Sequence, residues 1–185
     1  MLMRSSILVY LCAVLACGSV VVRAQVAPTA KTGQFSLSAG GEGAIFQPDY
    51  AGGPIAQSSP SHLAGLGAYA DVRFTRWVQI EAEGRWLHFN EYGGINQNTY
   101  LIGPRIPIHT YFNRLTPYGK ALFGFGSGSF LSGRAAAMAF GGGVDYQLSR
   151  RFTLRAIDFE YQRWSVLPTA IHPYGESVGL SYRIF

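Results

Sequence analysis

The chain has 185 residues, of which 48% are hydrophobic, 14% aromatic and only 14% charged, with a formal charge of +5. An average soluble domain carries about 25% charged residues, and a water-facing surface of Lys, Glu, Arg and Asp cannot be assembled from so few. The hydrophobic content excludes a disordered chain, and two cysteines close together at Cys12 and Cys17 exclude a disulfide scaffold.

Residues 1–24 read as an export signal. Arg4 supplies the positive start, residues 7–22 are mostly apolar, and Val22-Arg23-Ala24 places small or aliphatic residues at −3 and −1 of a cleavage site. Cleavage after Ala24 leaves Gln25 as the mature N-terminus. Two alternatives stay open: a lipobox, Val14-Leu15-Ala16-Cys17, with lipid on Cys17, and an uncleaved anchor, for which the run is short against the about 20 residues of a spanning helix. Cleavage leaves 13 Lys and Arg against all 10 acids, a charge of +3. That is too weak for a nucleic-acid partner, and none is expected.

Residues 25–33 form a short N-terminal segment, and residues 34–185 a single domain. Alternation with a period of two, the signature of half-buried strands, recurs eight times. In 34–46, Phe35, Leu37, Ala39 and Ile45 oppose Ser36, Ser38 and Glu42. In 65–75, Leu66, Ala68, Ala70, Val72 and Phe74 oppose Tyr69, Asp71 and Arg73. In 78–89, Val78, Ile80, Ala82 and Trp86 oppose Gln79, Glu81, Glu83 and Arg85. In 98–111, Tyr100, Ile102, Ile106 and Ile108 oppose Gly103, Arg105 and His109. Pro104 and Pro107 fall in this strand and remove ladder donors, so each is expected at a bulge or a weakly paired position. In 117–127, Ala121, Phe123 and Phe125 oppose Lys120, Gly124 and Gly126. In 136–148, Phe140, Val144, Tyr146 and Leu148 oppose Gly141, Gly143 and Asp145. In 152–164 the phase slips near Ile157, so that Arg155, Asp158 and Glu160 share the polar face with Phe159 and Tyr161 opposite. A one-residue slip predicts a β-bulge there. The last strand, 176–185, sets Val178, Leu180, Tyr182 and Ile184 against Ser177, Gly179, Ser181 and Arg183.

Short connections (75–76, 112–114 and 149–151) alternate with longer ones rich in Gly, Pro, Ser and Asn (47–61, 90–97, 128–134 and 165–173). This is the ground plan of an all-β, eight-stranded, antiparallel up-and-down transmembrane barrel. A soluble barrel would turn its apolar face inward. Here the polar face holds eight acids (Glu42, Asp71, Glu81, Glu83, Asp145, Asp158, Glu160, Glu176) and six bases (Arg73, Arg85, Arg105, Lys120, Arg155, Arg183), suited to pairing across a narrow lumen. Aromatics on the apolar face, Phe74, Trp86, Tyr100, Tyr146, Phe152, Tyr161 and Tyr182, cluster near strand ends as interfacial girdles do.

The export signal, the eight alternating strands and the terminal Phe185 resemble the outer-membrane β-barrel domain family, the small barrels related to OmpA, OmpX and OmpW. Segments 100–105, 140–146 and 179–185 are of the kind that family shows. The resemblance implies residence in the outer membrane in contact with its lipids. It also implies recognition of the C-terminal strand by the barrel-assembly machinery, through Tyr182 and Phe185. The chain departs from the usual form in having Arg183 two residues before the terminus.

A lipid A deacylase-type site needs His-x-Ser on one strand face, but the residues two after the four histidines are Ala64, Asn90, Tyr111 and Tyr174. His172, Glu176 and Ser177 stand close in sequence and read as polar residues of a loop and strand end. The histidines fall on separate segments and no cysteine follows the leader, so no metal or cofactor is expected. Gly141-Gly142-Gly143 lacks the strand-to-helix context of a phosphate loop and reads as close strand packing. Tyr50, Tyr92, Phe130, Trp164 and Ile171 fall in or beside the long connections, and Arg134 and Arg163 are placed to touch anionic headgroups. The expected protein is a monomeric, non-enzymatic barrel with a filled lumen and a structural or surface-interaction role. The alternatives are a narrow channel for ions or small apolar solutes, a lipid A-modifying enzyme and a soluble periplasmic barrel.

Overall fold

The computed structural model of the chain describes residues 35–48, 62–75, 77–89, 95–129, 131–166 and 169–185. The expected signal peptide with Cys17, the segment 25–33 and the loop aromatics Tyr50, Tyr92 and Phe130 lie outside the described residues. Among the described residues nine strands form: β1 (Ser36–Gln47), β2 (Leu63–Arg73), β3 (Gln79–Phe89), β4 (Gln97–Pro107), β5 (Leu115–Gly128), β6 (Arg134–Gln147), β7 (Phe152–Val166), β8 (Thr169–Ile171) and β9 (Tyr174–Arg183). Each strand of the sequence β1 to β7 pairs antiparallel with the next, β7 also pairs with β9, and β9 closes the sheet onto β1. The result is a closed, eight-stranded, up-and-down barrel. The three-residue β8 is a short hairpin return on the end of β7, and it occupies a stretch whose composition reads as loop.

Closure leaves one face of every strand outside. That face carries exposed apolar side chains such as Leu66, Ile102, Ile106, Phe123, Phe140, Phe159, Val178 and Leu180. Their partners in the alternation are buried in the lumen. This inverted arrangement suits a hydrocarbon solvent, and closure leaves no unpaired sheet edge within it.

Local irregularities have local causes. Between β7 and β9 the register runs from Arg155↔Gly179 to Asp158↔Ser177, and on the other side from Val144↔Ile157 to Asp145↔Arg155. Ala156 and Ile157 therefore both face outward, and Asp158 returns to the lumen beside Arg155. This is the bulge that the phase slip predicts. Pro104 pairs opposite Ile80, but the β4–β5 ladder lapses at Gly103 and Pro104 and resumes at Arg105↔Lys120 without a register change. Pro107 sits at the end of β4, opposite Tyr118. Both prolines are thus weakly paired rather than bulged.

The tight turns at 74–78, 111–115 and 148–152 gather at one end of the barrel, called here the turn end, and the longer connections at the other, the loop end.

Candidate functional site

The lumen is stratified. Its middle layer holds four cations, each contacting three or four carboxylates. Lys120 Nζ on β5 lies 3.2 Å from Glu81, 3.0 Å from Glu83, 2.7 Å from Asp158 and 2.9 Å from Glu160. Arg85 on β3 reaches Glu42 at 2.9 Å, Glu83 at 3.2 Å and Glu160 at 3.0 Å. Arg155 on β7 reaches Glu81 at 2.6 Å, Asp158 at 3.2 Å, Glu42 at 3.4 Å and Asp71 at 3.7 Å. Arg105 on β4 reaches Asp145 at 2.6 Å, Asp71 at 3.2 Å and Glu81 at 3.4 Å. Alternation puts these charges inside, and the barrel is narrow enough for opposite walls to meet. Charges so removed from water persist only when paired and hydrogen-bonded. Aromatic rings complete the packing: Arg105 stacks over Tyr118 at 3.6 Å, Arg155 over Tyr69 at 3.7 Å and Arg85 over Phe46 at 4.7 Å.

Toward the loop end the lumen is apolar. Leu101, Leu122, Ala135, Ala137, Ala139 and Trp164 form one buried cluster, and Ala44, Phe46, Leu63 and Leu87 another. Trp164 is fully buried and bridges the two layers: its Nε1 donates to Gln162 Oε1 at 2.7 Å, and Gln162 Nε2 donates to Glu160. Trp164 thus packs inside the lumen as part of β7, where its sequence position reads as loop-associated. Ile171, in β8, packs partly buried against the same cluster.

Toward the turn end the lumen opens into a polar vestibule. Its wall includes Arg73, Arg105, Arg114 and Arg183, the acids Asp71 and Asp145, and the hydroxyls of Ser36, Ser38, Thr116 and Thr153. Gln79, with its carboxamide oxygen turned toward Arg73, accepts from Arg73 Nη2 and Nε at 2.9 and 3.0 Å.

The structure therefore brings together Glu42, Asp71, Glu81, Glu83, Arg85, Arg105, Lys120, Asp145, Arg155, Asp158 and Glu160, and sets Arg73 apart at the mouth. Glu176 is a correction. It shares the parity of Val178, faces outward, and lines a groove with Ile45, Ile157 and Val178. Of the charges that the alternation assigns to the lumen, seven acids and six bases remain there among the described residues, and Arg114 joins them at the mouth. Tyr69 lies inward on the face that the alternation gives it, but Tyr118, Gln162 and Trp164 were not singled out as lumen-filling. Their inward parity was the available signal, but an aromatic or amide carries no charge to mark it.

Glu81, Glu83 and Asp158 offer oxygens within 4.8 Å of one another, a spacing a metal could use. The Lys120 ammonium contacts all three and already supplies a cation at that position. His172, Glu176 and Ser177 do not converge. The His172 ring stacks on Tyr161, 42% exposed on the outer wall, and its Nδ1 lies 2.7 Å from the Tyr161 hydroxyl. Ser177 Oγ faces the lumen and donates to Glu42 at 3.0 Å.

Outside, aromatics form two belts. At the loop end Trp86 Nε1 donates to Tyr100 Oη at 2.9 Å, Tyr100 packs on Phe125, and the Arg134 guanidinium lies over the Phe125 ring. At the turn end Phe35 packs between Phe74 and Phe185, and Tyr182 on Phe152, with Arg151 donating to Tyr182 Oη at 2.8 Å. Rings with one apolar and one wet side suit the two edges of a hydrocarbon layer.

Solved structures share this architecture. Neisserial surface protein A aligns with a TM-score of 0.58 at 12% identity, over 80% of this chain and 96% of its own. OprG of Pseudomonas aeruginosa aligns at 0.52 and 11%, over 82% and 96%. Ail, the attachment invasion locus protein of Yersinia pestis, aligns at 0.50 and 18%, over 82% and 99%. At these identities the likeness concerns the fold. No curated protein matches the chain in sequence. The outer membrane protein beta-barrel domain family, however, matches residues 11–183, nearly the whole length; the chain belongs to that family.

Proposed function

We propose that the protein is a monomeric resident of the outer membrane with a structural or surface-interaction role, and neither a wide pore nor an enzyme. One observation carries the reading: Arg85, Arg105, Lys120 and Arg155 each contact three or four carboxylates across the lumen, with the Trp164 cluster packed against this layer on the loop side. Side chains so engaged leave no continuous aqueous path without breaking buried ion pairs. In this reading the turn end faces the periplasm, the outer wall contacts membrane lipids, and the longer connections meet the outside. The C-terminal strand, with Tyr182 and Phe185, is the segment offered to the barrel-assembly machinery.

Reconstitution of the folded chain in a planar bilayer tests the role. The expected record is silent, and a steady unitary conductance overturns it. Separation of inner and outer membranes, with gel migration compared before and after boiling, tests the location. A heat-modifiable band in the outer-membrane fraction is expected, and a soluble band without that shift counts against it.

A further inference from the structure

The vestibule at the turn end carries charge that the lumen network does not use. Its two aspartates are both taken by Arg105, Asp145 at 2.6 Å and Asp71 at 3.2 Å. Arg73 and Arg183 have no carboxylate within 4.0 Å among the described residues. Their backbone positions explain why they belong to one site. Arg73 on β2 pairs opposite Ser36, and Arg183 on β9 pairs opposite Ser38, so the two flank the same stretch of β1 on its inward side. Two strand spacings and the two-residue offset along β1 separate their backbones by roughly 12 Å, a gap that two arginine side chains close onto one small ligand, Arg73 while its Nε and Nη2 also donate to Gln79. Between them stand the hydroxyls of Ser36 and Ser38.

The surroundings favour a negative ligand. The lining includes four arginines against two aspartates, and Arg150 and Arg151 stand on a neighbouring turn. A concave, low-dielectric wall of one sign focuses the field on ions of the other. Guanidinium forks match the oxygens of phosphate in pairs.

We propose that this vestibule is a binding site for a small phosphate-type oxyanion, held between Arg73 and Arg183 with Ser36 and Ser38 as supporting donors. The ligand chemistry has two sources, a free phosphate or the anionic phosphate of a phospholipid headgroup folded into the mouth.

The test uses the full mature chain in a phosphate-free maltoside detergent and Tris buffer, with ¹⁵N-labelled arginine and amide signals followed at constant ionic strength. Titration with inorganic phosphate is expected to shift the Nε–H signals of Arg73 and Arg183 saturably, while those of Arg134 and Arg163 on the outer wall stay still. In a second arm, phosphatidylglycerol is added to the micelles without free phosphate. Saturation in the first arm assigns a soluble anion, and saturation in the second alone assigns the headgroup. Shifts no larger than sodium chloride produces, in both arms, overturn the proposal. The double variant R73Q/R183Q, folded by the criterion of heat-modifiable migration, should weaken the response of the Ser36 and Ser38 amides at least tenfold. An unchanged response in that variant also overturns it.

Discussion

The indole of Trp164 on β7 lies against the backbone of Gly126 on β5, filling the space that a β-carbon at position 126 would occupy. Glycine here is a matter of room: an inward-facing position with no side chain lets the largest residue lie across the lumen. Truncation by Trp164→Ala should therefore leave a cavity, costing about 3–5 kcal/mol. Gly126→Val should cost a comparable amount by expelling the ring. Chemical unfolding of the detergent-refolded protein measures both. A loss under about 1 kcal/mol for Trp164→Ala, below the range seen for large aromatic truncations, would show that the ring does not pack as a plug.

Lys120 is the shared partner of four carboxylates. Lys120→Met keeps the length of the side chain and removes the charge, leaving Glu81, Glu83, Asp158 and Glu160 with one fewer cation. Breaking a buried pair in this way costs about 3–5 kcal/mol. Arg163→Met on the outer wall removes a charge from an exposed position and should change stability little or favourably. Unfolding midpoints of the two variants, measured side by side, check the contrast. Equal effects would mean that the two arginine and lysine environments are not opposite faces of the wall.

The eight strands were legible because each alternates over ten or more residues, and the bulge because Asp158 and Glu160 break parity with Arg155. What escaped was of two kinds. Phe46, Leu63, Leu87 and Trp164 are apolar yet face inward. A rule that sends apolar residues to lipid misplaces them unless strict parity is followed into the strand ends. Glu176 is the converse, a charge on the outer wall two residues into β9, where polarity of residue type and parity of position conflict. Parity wins in both cases because the ladder fixes side-chain direction before side-chain chemistry acts. The ion pairs themselves were legible only as a balance of charges; which carboxylate meets which cation depends on contacts across the lumen between strands far apart in sequence.

Glu176 supplies a direct check of the outward assignment. Replacing it with leucine should be neutral or stabilising, since an acid near the membrane edge costs little and never helps packing against lipid. Glu81→Leu, on the inward face, removes a partner of Lys120, Arg105 and Arg155 together and should destabilise by several kcal/mol, on the scale of about 3–5 for a broken buried pair. Thermal or urea unfolding in the same detergent compares them. A Glu176→Leu variant as damaged as Glu81→Leu would place Glu176 in the lumen.

The turn joining β4 to β5 has Phe112 and Asn113 both at positive φ, 50° and 55°, closed by Arg114 N–H donating to Tyr111 O at 3.1 Å. Such hairpin turns favour Asn and Gly, whereas a bulky side chain in the left-handed region is strained by about 1–2 kcal/mol. Phe112 is 91% exposed, so burial offers little compensation. Phe112→Asn should raise the unfolding midpoint by an amount equivalent to about 1 kcal/mol. A lowered midpoint would show that the ring makes a stabilising contact with the surrounding amphiphile.

The assembly role proposed for the C-terminal strand can be measured apart from its part in folding. Phe185 stacks on Phe35 at 5.6 Å, and Tyr182 packs on Phe152 at 5.3 Å, both on the outer wall at the turn end. Neither ring enters the lumen, so the truncations Phe185→Ala and Tyr182→Ala leave the ion-pair network intact. Spontaneous refolding into detergent should then proceed nearly as for the parent chain, with the heat-modifiable shift preserved. If these side chains are also the ones recognised during assembly, the same variants expressed in a Gram-negative host should deliver several-fold less folded protein to the outer membrane. The informative quantity is the ratio of the two effects. Equal losses in detergent and in cells would assign the aromatics to barrel stability alone, because a purely structural contact must act wherever the barrel folds, whereas a recognition contact acts only where the machinery is present.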